Sequence, residues 1–228
     1  MMRALVRLPL ARLRKPRSLL PSFGWSALAV AAALSSRSSG LPTGADHVLR
    51  GTFAFAVLPL LTYGIVSATF GGRGLRESTQ GLVAIGGSPR ASVLSSIVVA
   101  MAASAFAGGL VAALVCVLAH GNGDPPLLWD LPASFGVAFV GGVAYAAYFA
   151  LGSSIGRGAL RGVFLALDFL LGSAGGFGAL LTPRAHVVSL LGGPASFDLS
   201  RRASSIVLVA LTLAYLGLAV VLGRRVRR

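Results

Sequence analysis

Few residues in this sequence could carry chemistry, and the most notable is a single acid inside an apolar stretch. Asp168 stands among leucine, alanine and phenylalanine, where a carboxylate is costly unless it faces protein or water, so it is a candidate for a functional role. Arg161 lies seven residues earlier, about two helical turns away and therefore on the same helical face. This spacing favours a structural ion pair between Asp168 and Arg161 over a role in transport.

The other reactive residue types form no recognisable catalytic or metal-binding pattern. The segment 152–156, GSSIG, resembles a nucleophile turn, but it lacks the GxSxG spacing, a preceding strand and an intramembrane histidine as base. His47, His120 and His186 are far apart in sequence and Cys116 stands alone, which argues against a metal site. The phosphate-binding pattern GxxxxGK(S/T) is absent, so the chain is not expected to hydrolyse ATP itself.

Composition places the chain among helical membrane proteins. Of its 228 residues, 55% are hydrophobic, only 11% are charged and 30 are glycine, a balance that a soluble domain of this size does not need. The net charge of +14 would suggest a nucleic-acid partner in a soluble protein. Here the charges fall in links and tails between apolar segments, which argues against a nucleic-acid-binding face.

Six apolar segments are long enough to cross a bilayer as helices. They are predicted at about residues 19–36, 52–71, 93–119, 132–155, 159–182 and 204–223, each close to the roughly 20 residues that a crossing requires. The fifth is interrupted by Asp168 and a glycine cluster, so a break or a re-entrant stretch there stays open. Residues 1–18 are predicted to form a basic amphipathic helix on the membrane surface, or a disordered basic tail.

Charge predicts the orientation of these segments. With the N-terminus inside, fifteen basic residues lie in cytosolic pieces, including the tail 224–228, and five lie outside, so the positive-inside rule favours six spans with both termini cytosolic. A short outer helix is predicted at about 184–193, before the last span. The alternative, that 1–36 is a cleaved signal peptide, would leave an odd number of spans.

The link between the second and third predicted spans, residues 74–90, is the longest polar-punctuated connection on the cytosolic side. It contains Glu77 four residues before Gly81, then a short aliphatic run that ends at Ile85, and then Ser88 followed by Pro89. A short helix lying flat between two spans could receive energy from another protein, which a chain without its own ATPase motif would need. Its alternative is a solvated link that only joins two spans.

This link resembles the permeases of type-2 ABC transporters. In that family a stretch of the form E-R-x-x-G-T-L-x-x-L-L-x-S-P joins the second and third spans, and six spans, a basic amphipathic N-terminal helix and a short outer helix before the last span are also similar. Only residues 76–90 match at the level of single residues. Gly86 and Gly87 depart from the pattern and predict a looser helix, since each glycine costs about 1 kcal/mol relative to alanine.

The resemblance implies the membrane subunit of an exporter in the bacterial inner membrane. It implies a coupling helix that docks on a separate ATP-binding cassette subunit, which would hold ATP and magnesium, while this chain holds no cofactor and pairs with a second permease copy, identical or different. Arg76, Glu77 and Gln80 are expected to face the ATPase, and Leu82, Val83 and Ile85 to bury an apolar patch. The ATPase-coupling residues are expected to be Arg76, Glu77, Gln80, Gly81, Leu82, Ile85, Ser88 and Pro89.

Three alternatives remain beside that interpretation. A haem-exporter type of permease shares the chain length and a similar link, although nothing in the outer segments indicates haem. A non-catalytic membrane scaffold or anchor subunit would have the same composition but no ATPase partner. An intramembrane hydrolase would depend on Ser154 or Asp168.

Overall fold

The computed structural model of the chain describes residues 2–84, 86–156, 158–174 and 176–223, and every regular element within them is helical. The predicted basic tail at 224–228 lies outside the described residues. The α-helices are α1 (Met2–Leu13), α2 (Pro16–Ser38), α3 (Gly44–Val48), α4 (Leu58–Phe70), α5 (Leu75–Ala84), α6 (Pro89–Ala119), α7 (Leu127–Ser154), α8 (Leu160–Gly172), α9 (Pro183–Leu190) and α10 (Arg201–Gly223).

Five helical stretches of the described chain are long and apolar enough to cross a membrane. They are Arg17–Ser38, Gly44–Ala84, Pro89–Ala119, Leu127–Ser154 and Arg201–Gly223. The all-helical, membrane-spanning class predicted from composition is therefore confirmed at this level. The second stretch contains a bend at residues 71–74 and ends with α5.

The helix of the second predicted span begins earlier than the apolar pattern suggests. A π-helical segment, Leu49–Val57, joins α3 to α4, so the helix runs without interruption from residue 44 to residue 70. Its first turn is capped from another loop: the Asp124 carboxylate accepts hydrogen bonds from the amides of Ala45 (2.9 Å) and Asp46 (3.4 Å). This borrowed cap extends the helix beyond its apolar part, because unpaired amides at a helix start need an acceptor.

The fifth predicted segment, 159–182, is broken, which is the alternative that the sequence left open. α8 has 13 residues, about 20 Å of helix, which is short of the roughly 30 Å hydrocarbon layer. A 3₁₀ turn, Phe177–Leu181, and then α9 follow it. The Tyr215 hydroxyl donates to the Leu181 carbonyl, so the 3₁₀ turn lies alongside α10, about 12 Å from the last described residue of that helix.

The short helix predicted at 184–193 exists as α9, but it does not lie on the outer surface. Six of its eight residues are buried, and the Val187 side chain packs close to Gly141 in α7. The contacts at Leu181 and Val187 place α8, the 3₁₀ turn and α9 as successive pieces of one broken path through the bundle.

Close helix packing at glycine holds the centre of the bundle together. A Cβ on Gly142 of α7 would lie 2.6 Å from the Ser104 carbonyl oxygen of α6, and one on Gly108 of α6 would lie 2.7 Å from a Leu58 methyl group. Small residues at such positions let helices approach and gain van der Waals contact where lipid supplies no hydrophobic drive. α6 and α7 therefore form a rigid frame for the shorter helices.

The bundle has two distinguishable ends. The α5 end contains α1, α5, the end of α4, the start of α6 and the end of α10, because Arg12 of α1 contacts Ser78 and Arg76 contacts Leu222. The far end contains α3 and the α6–α7 loop, which Asp124 joins. α1 and the last turn of α10 thus lie at the same end of the molecule.

Candidate functional site

The link that the sequence singled out folds as a defined helix with a glycine stop. α5 covers Leu75–Ala84, the Gly86 amide donates to the Val83 carbonyl (3.0 Å) and the Gly87 amide donates to the Leu82 carbonyl (2.9 Å). With Gly86 at a φ of +87°, this is a Schellman motif, which favours glycine at the left-handed position. The paired glycines therefore end the helix, and the expectation that they loosen it is wrong.

α5 presents one buried face and one accessible face. Leu75 and Leu82 are 0% and 2% exposed and pack into the bundle. Gln80 and Gly81 are exposed and Glu77 is half-buried. These three residues lie within one turn of each other on the accessible face of α5. Ile85 lies outside the described residues.

Glu77 has no ion-pair or hydrogen-bond partner among the residues that the structure describes. Gly81 beside it is equally open, since no atom would lie within 4 Å of a Cβ placed there. Within the described part of the chain, the accessible face therefore offers a carboxylate without a partner next to a position without a side chain. Both features suit close approach of another surface.

Arg76 does not face outward, contrary to the prediction. Its guanidinium donates to the Leu222 carbonyl from Nε (3.1 Å) and Nη2 (2.7 Å), in the last described turn of α10. Arg76 thus fixes α5 to the last helix.

Arg12 of α1 fixes α5 from the other side. Its Nη2 donates to the Ser78 carbonyl (2.9 Å) and its Nη1 to the Thr69 carbonyl (3.3 Å). Burial, and next the Arg73 cation, lower the pKa of Arg12. The sequence placed Arg12 among the basic residues of an interfacial helix and gave no sign of this contact.

Ser88 and Pro89 begin the next helix. The Ser88 hydroxyl accepts a hydrogen bond from the Ala91 amide (3.2 Å) as the N-cap of α6, and Pro89 occupies the first turn. Both are favoured at a helix start because the cap supplies an acceptor and proline lacks only an amide that would be unpaired. Their local structural role is therefore clear, and they sit at the hinge between α5 and the long α6.

The second predicted candidate, Asp168, is 0% exposed and pairs with Arg184. The Arg184 Nη2 lies 2.9 Å from Asp168 Oδ2, its Nε donates to the same oxygen (3.0 Å), and the Tyr145 hydroxyl donates to it as well (3.3 Å). The predicted pair with Arg161 is wrong, because the break after α8 turns the chain back and brings α9 against Asp168.

Arg184 is surrounded by aromatic rings and a carbonyl group that attract its positive charge. Its guanidinium lies 3.8 Å from the ring centroid of Phe169 and 4.5 Å from that of Phe55, within the range of cation–π attraction. Its Nη1 also donates to the Phe55 carbonyl. Phe55 lies in the π-helical segment Leu49–Val57, so this bond ties α9 to the start of the second long helical stretch.

A cavity of about 280 Å³ lies beside this pair. Arg184 lines it together with apolar side chains that include Phe55, Val188 and Phe197, while Asp168 lies behind the guanidinium. His186 is buried next to Arg184 in α9 and its Nε2 lies 3.0 Å from the Leu180 carbonyl. The geometry describes a neutralised ion pair in an enclosed setting.

The serines of the GSSIG segment form hydrogen bonds with nearby groups. Ser153 donates to the Phe149 carbonyl (2.7 Å) and accepts from Arg161 Nε (2.9 Å), and Ser154 donates to the Leu151 carbonyl (2.7 Å). A nucleophilic serine needs a base within hydrogen-bond reach. The contact of Ser153 is a cation, which cannot remove a proton.

Sequence reasoning gave Arg161 a structural role but the wrong partner, and it did not identify Arg184 as the partner of Asp168. The signal for Arg161 was an arginine within an apolar segment. Neither partner follows from local spacing, because Arg161 bonds to α4, α7 and the bend before α5, and Arg184 reaches Asp168 only across the break that follows α8.

Comparisons of this chain with protein-family models, with curated proteins and with solved structures gave no match.

Proposed function

We propose that this chain is the permease subunit of an ABC-type exporter, which couples ATP hydrolysis by a separate nucleotide-binding subunit to movement of a substrate across the membrane. The observation that carries the proposal is α5, a short helix between two long ones whose accessible face holds an open Gly81 and a Glu77 without a partner among the described residues. The resemblance of residues 76–90 to the link of type-2 ABC permeases supplies the family.

The attachment of α5 supports a mechanical role. Arg12 and Arg76 tie it to α1 and α10, and a two-glycine turn and the Ser88 cap join it directly to α6. A push on the accessible face would therefore move several helices together, since packed helices shift as rigid units. The ATPase would hold ATP and magnesium, and this chain would need no cofactor.

The same proposal gives the arrangement in the membrane. The α5 end carries Arg12, Arg73 and Arg76 and would face the cytosol, with α1 at the membrane surface. The broken path of α8 and α9 would provide the sixth crossing beside the five long helical stretches, so both termini would be cytosolic in the bacterial inner membrane. A second permease copy, identical or different, would complete the pathway.

Purification of the intact membrane complex tests the proposal directly. We expect an ATP-hydrolysing subunit to accompany the chain, and we expect Glu77→Gln to reduce the stimulation of its ATPase activity because the docking carboxylate is lost. Gly81→Pro should act in the same direction by breaking α5.

Asp198→Asn is the matched control for the change at Glu77. Asp198 is exposed and lies just before α10, whose 23 residues place it roughly 35 Å from the α5 end. It loses the same charge there and should leave stimulation unchanged. No co-purifying ATPase, or normal stimulation by both α5 variants, would instead favour a scaffold subunit.

A further inference from the structure

At the α5 end of the bundle, the Arg161 side chain donates hydrogen bonds to three different segments of the chain. It lies in the first turn of α8 and is 3% exposed. Its Nε donates to Ser153 Oγ in α7 (2.9 Å), its Nη1 to Ser67 Oγ in α4 (2.5 Å) and its Nη2 to the Arg73 carbonyl (2.9 Å). One side chain thus joins the start of α8 to two long helices and to the bend that leads into α5.

No carboxylate of the described residues balances this buried cation, since the one ion pair among them is Asp168–Arg184. Tyr63 and Phe70 lie at 5.9 and 5.8 Å from the guanidinium carbon and provide weak cation–π contact. A leucine would fill such a position without the desolvation cost of a charge. The guanidinium offers instead several donors in fixed directions, which can hold separate backbone segments in register.

The loop before α8 also touches the bend directly. A Cβ on Gly158 would lie 2.8 Å from the Gly74 amide nitrogen and 2.9 Å from the Arg73 carbonyl carbon. Glycine is therefore the only residue that permits this approach. Together with the bond from Arg161 to the Arg73 carbonyl, it forms what we call the loop–bend contact.

We propose that Arg161 is a positioning residue through which displacement of α5 reaches α8, so that the energy-receiving helix acts on the broken crossing as well as on α6. The inference rests on the proposed function of α5. α6 follows α5 along the chain, whereas α8 follows α7 and has no such covalent connection to the link. The loop–bend contact supplies a direct route, and Asp168 lies two turns further along the same helix.

Two glycines of the loop provide a matched test. Gly156 and Gly158 have φ values of +68° and +91°, so alanine is strained at both. Alanine at Gly158 would also collide with the bend, while nothing lies within 4 Å of a Cβ at Gly156. Gly158→Ala therefore separates the loop from the bend. Gly156→Ala imposes a similar conformational strain on the backbone but leaves the loop in contact with the bend.

The measurement is hydrogen–deuterium exchange of the purified permease–ATPase complex, with and without a non-hydrolysable ATP analogue. In the wild-type complex and in Gly156→Ala, the analogue should change exchange in both α5 and residues 160–168. In Gly158→Ala the change in α5 should remain and the change in residues 160–168 should be lost. Arg161→Lys, which keeps the charge but not the three directed bonds, should behave like Gly158→Ala.

The outcomes separate the two proposals. If residues 160–168 still respond in Gly158→Ala and Arg161→Lys, the positioning role of Arg161 is overturned while the function of α5 stands. If α5 itself does not respond in the wild-type complex, the proposed function fails and this inference fails with it. Tyr145→Phe, which removes one hydrogen bond to Asp168 without touching the bend, should leave both responses intact.

Discussion

Two arginines are almost fully buried in this bundle, and their surroundings are opposite in kind. Arg184, 1% exposed, faces the Asp168 carboxylate and two aromatic rings. Arg161, 3% exposed, faces two hydroxyl groups and a carbonyl, with no carboxylate of the described chain beside it. The first arrangement neutralises a charge, and the second distributes a charge among neutral acceptors.

Depth explains the difference. Asp168 stands eight residues after the start of α8 at Leu160, about 12 Å into the bundle, where an unbalanced ion is expensive. Arg161 lies in the first turn, beside the bend that leads to α5, where three neutral acceptors take up the hydrogen bonds of its guanidinium. Arg184 therefore stabilises the packing of α9 against α8, and Arg161 connects α8 to α4, α7 and the bend before α5.

The largest effect is expected from Asp168→Asn. Asparagine keeps the shape but leaves the Arg184 cation buried without its counter-ion, which should lower the free energy of unfolding by about 3–5 kcal/mol. Thermal or denaturant unfolding in bicelles would measure the loss. Replacement of both partners by leucine should recover most of it, because an apolar pair carries no desolvation cost. A variant as stable as the wild type would show that the Arg184 site does not depend on neutralisation.

The same substitution at the two arginines sharpens the comparison. Arg184→Gln strands the Asp168 carboxylate and should again cost about 3–5 kcal/mol. Arg161→Gln strands only hydroxyl and carbonyl groups near the end of the bundle, and should cost about 1–3 kcal/mol. Unfolding measured side by side in one lipid mixture decides the order. Equal losses would indicate that Arg161 has an anionic partner after all.

Composition and periodicity were sufficient for the fold class but not for the structure of the fifth predicted segment. Hydropathy reports how apolar a segment is, and 159–182 is apolar throughout most of its length. It does not report that Arg184 returns to the level of Asp168, because that pairing depends on a break whose cost only three-dimensional packing can offset. The helix of the second span likewise begins early because Asp124, distant in sequence, caps it.

The candidate site was predicted in its location but not in the direction of its side chains. The resemblance to type-2 ABC permeases implied that Glu77 and Gln80 face a partner, and together with Gly81 they do share the accessible face. Arg76 also fits that face by spacing alone, yet a long side chain can reach back to a helix end, and the carbonyl of Leu222 draws it inward. Periodicity fixes where a Cα lies, while the end of an arginine side chain is fixed by whichever acceptor lacks a donor.

The smallest expected effect is that of an added methyl group on α5, and it distinguishes the stability of this helix from its proposed docking on a partner. Gly81→Ala adds a methyl group in open space within a helix, which should raise the free energy of unfolding by up to about 1 kcal/mol. Gly217→Ala, at an equally open glycine of α10, should give a similar gain.

ATPase stimulation then distinguishes the two alanine variants. If another protein packs closely over α5, the methyl group at position 81 should reduce stimulation while the one at position 217 should not. A gain in stability at both positions with full stimulation would mean that the partner leaves space over Gly81, and that the accessible carboxylate of Glu77, rather than close approach of the backbone, makes the contact.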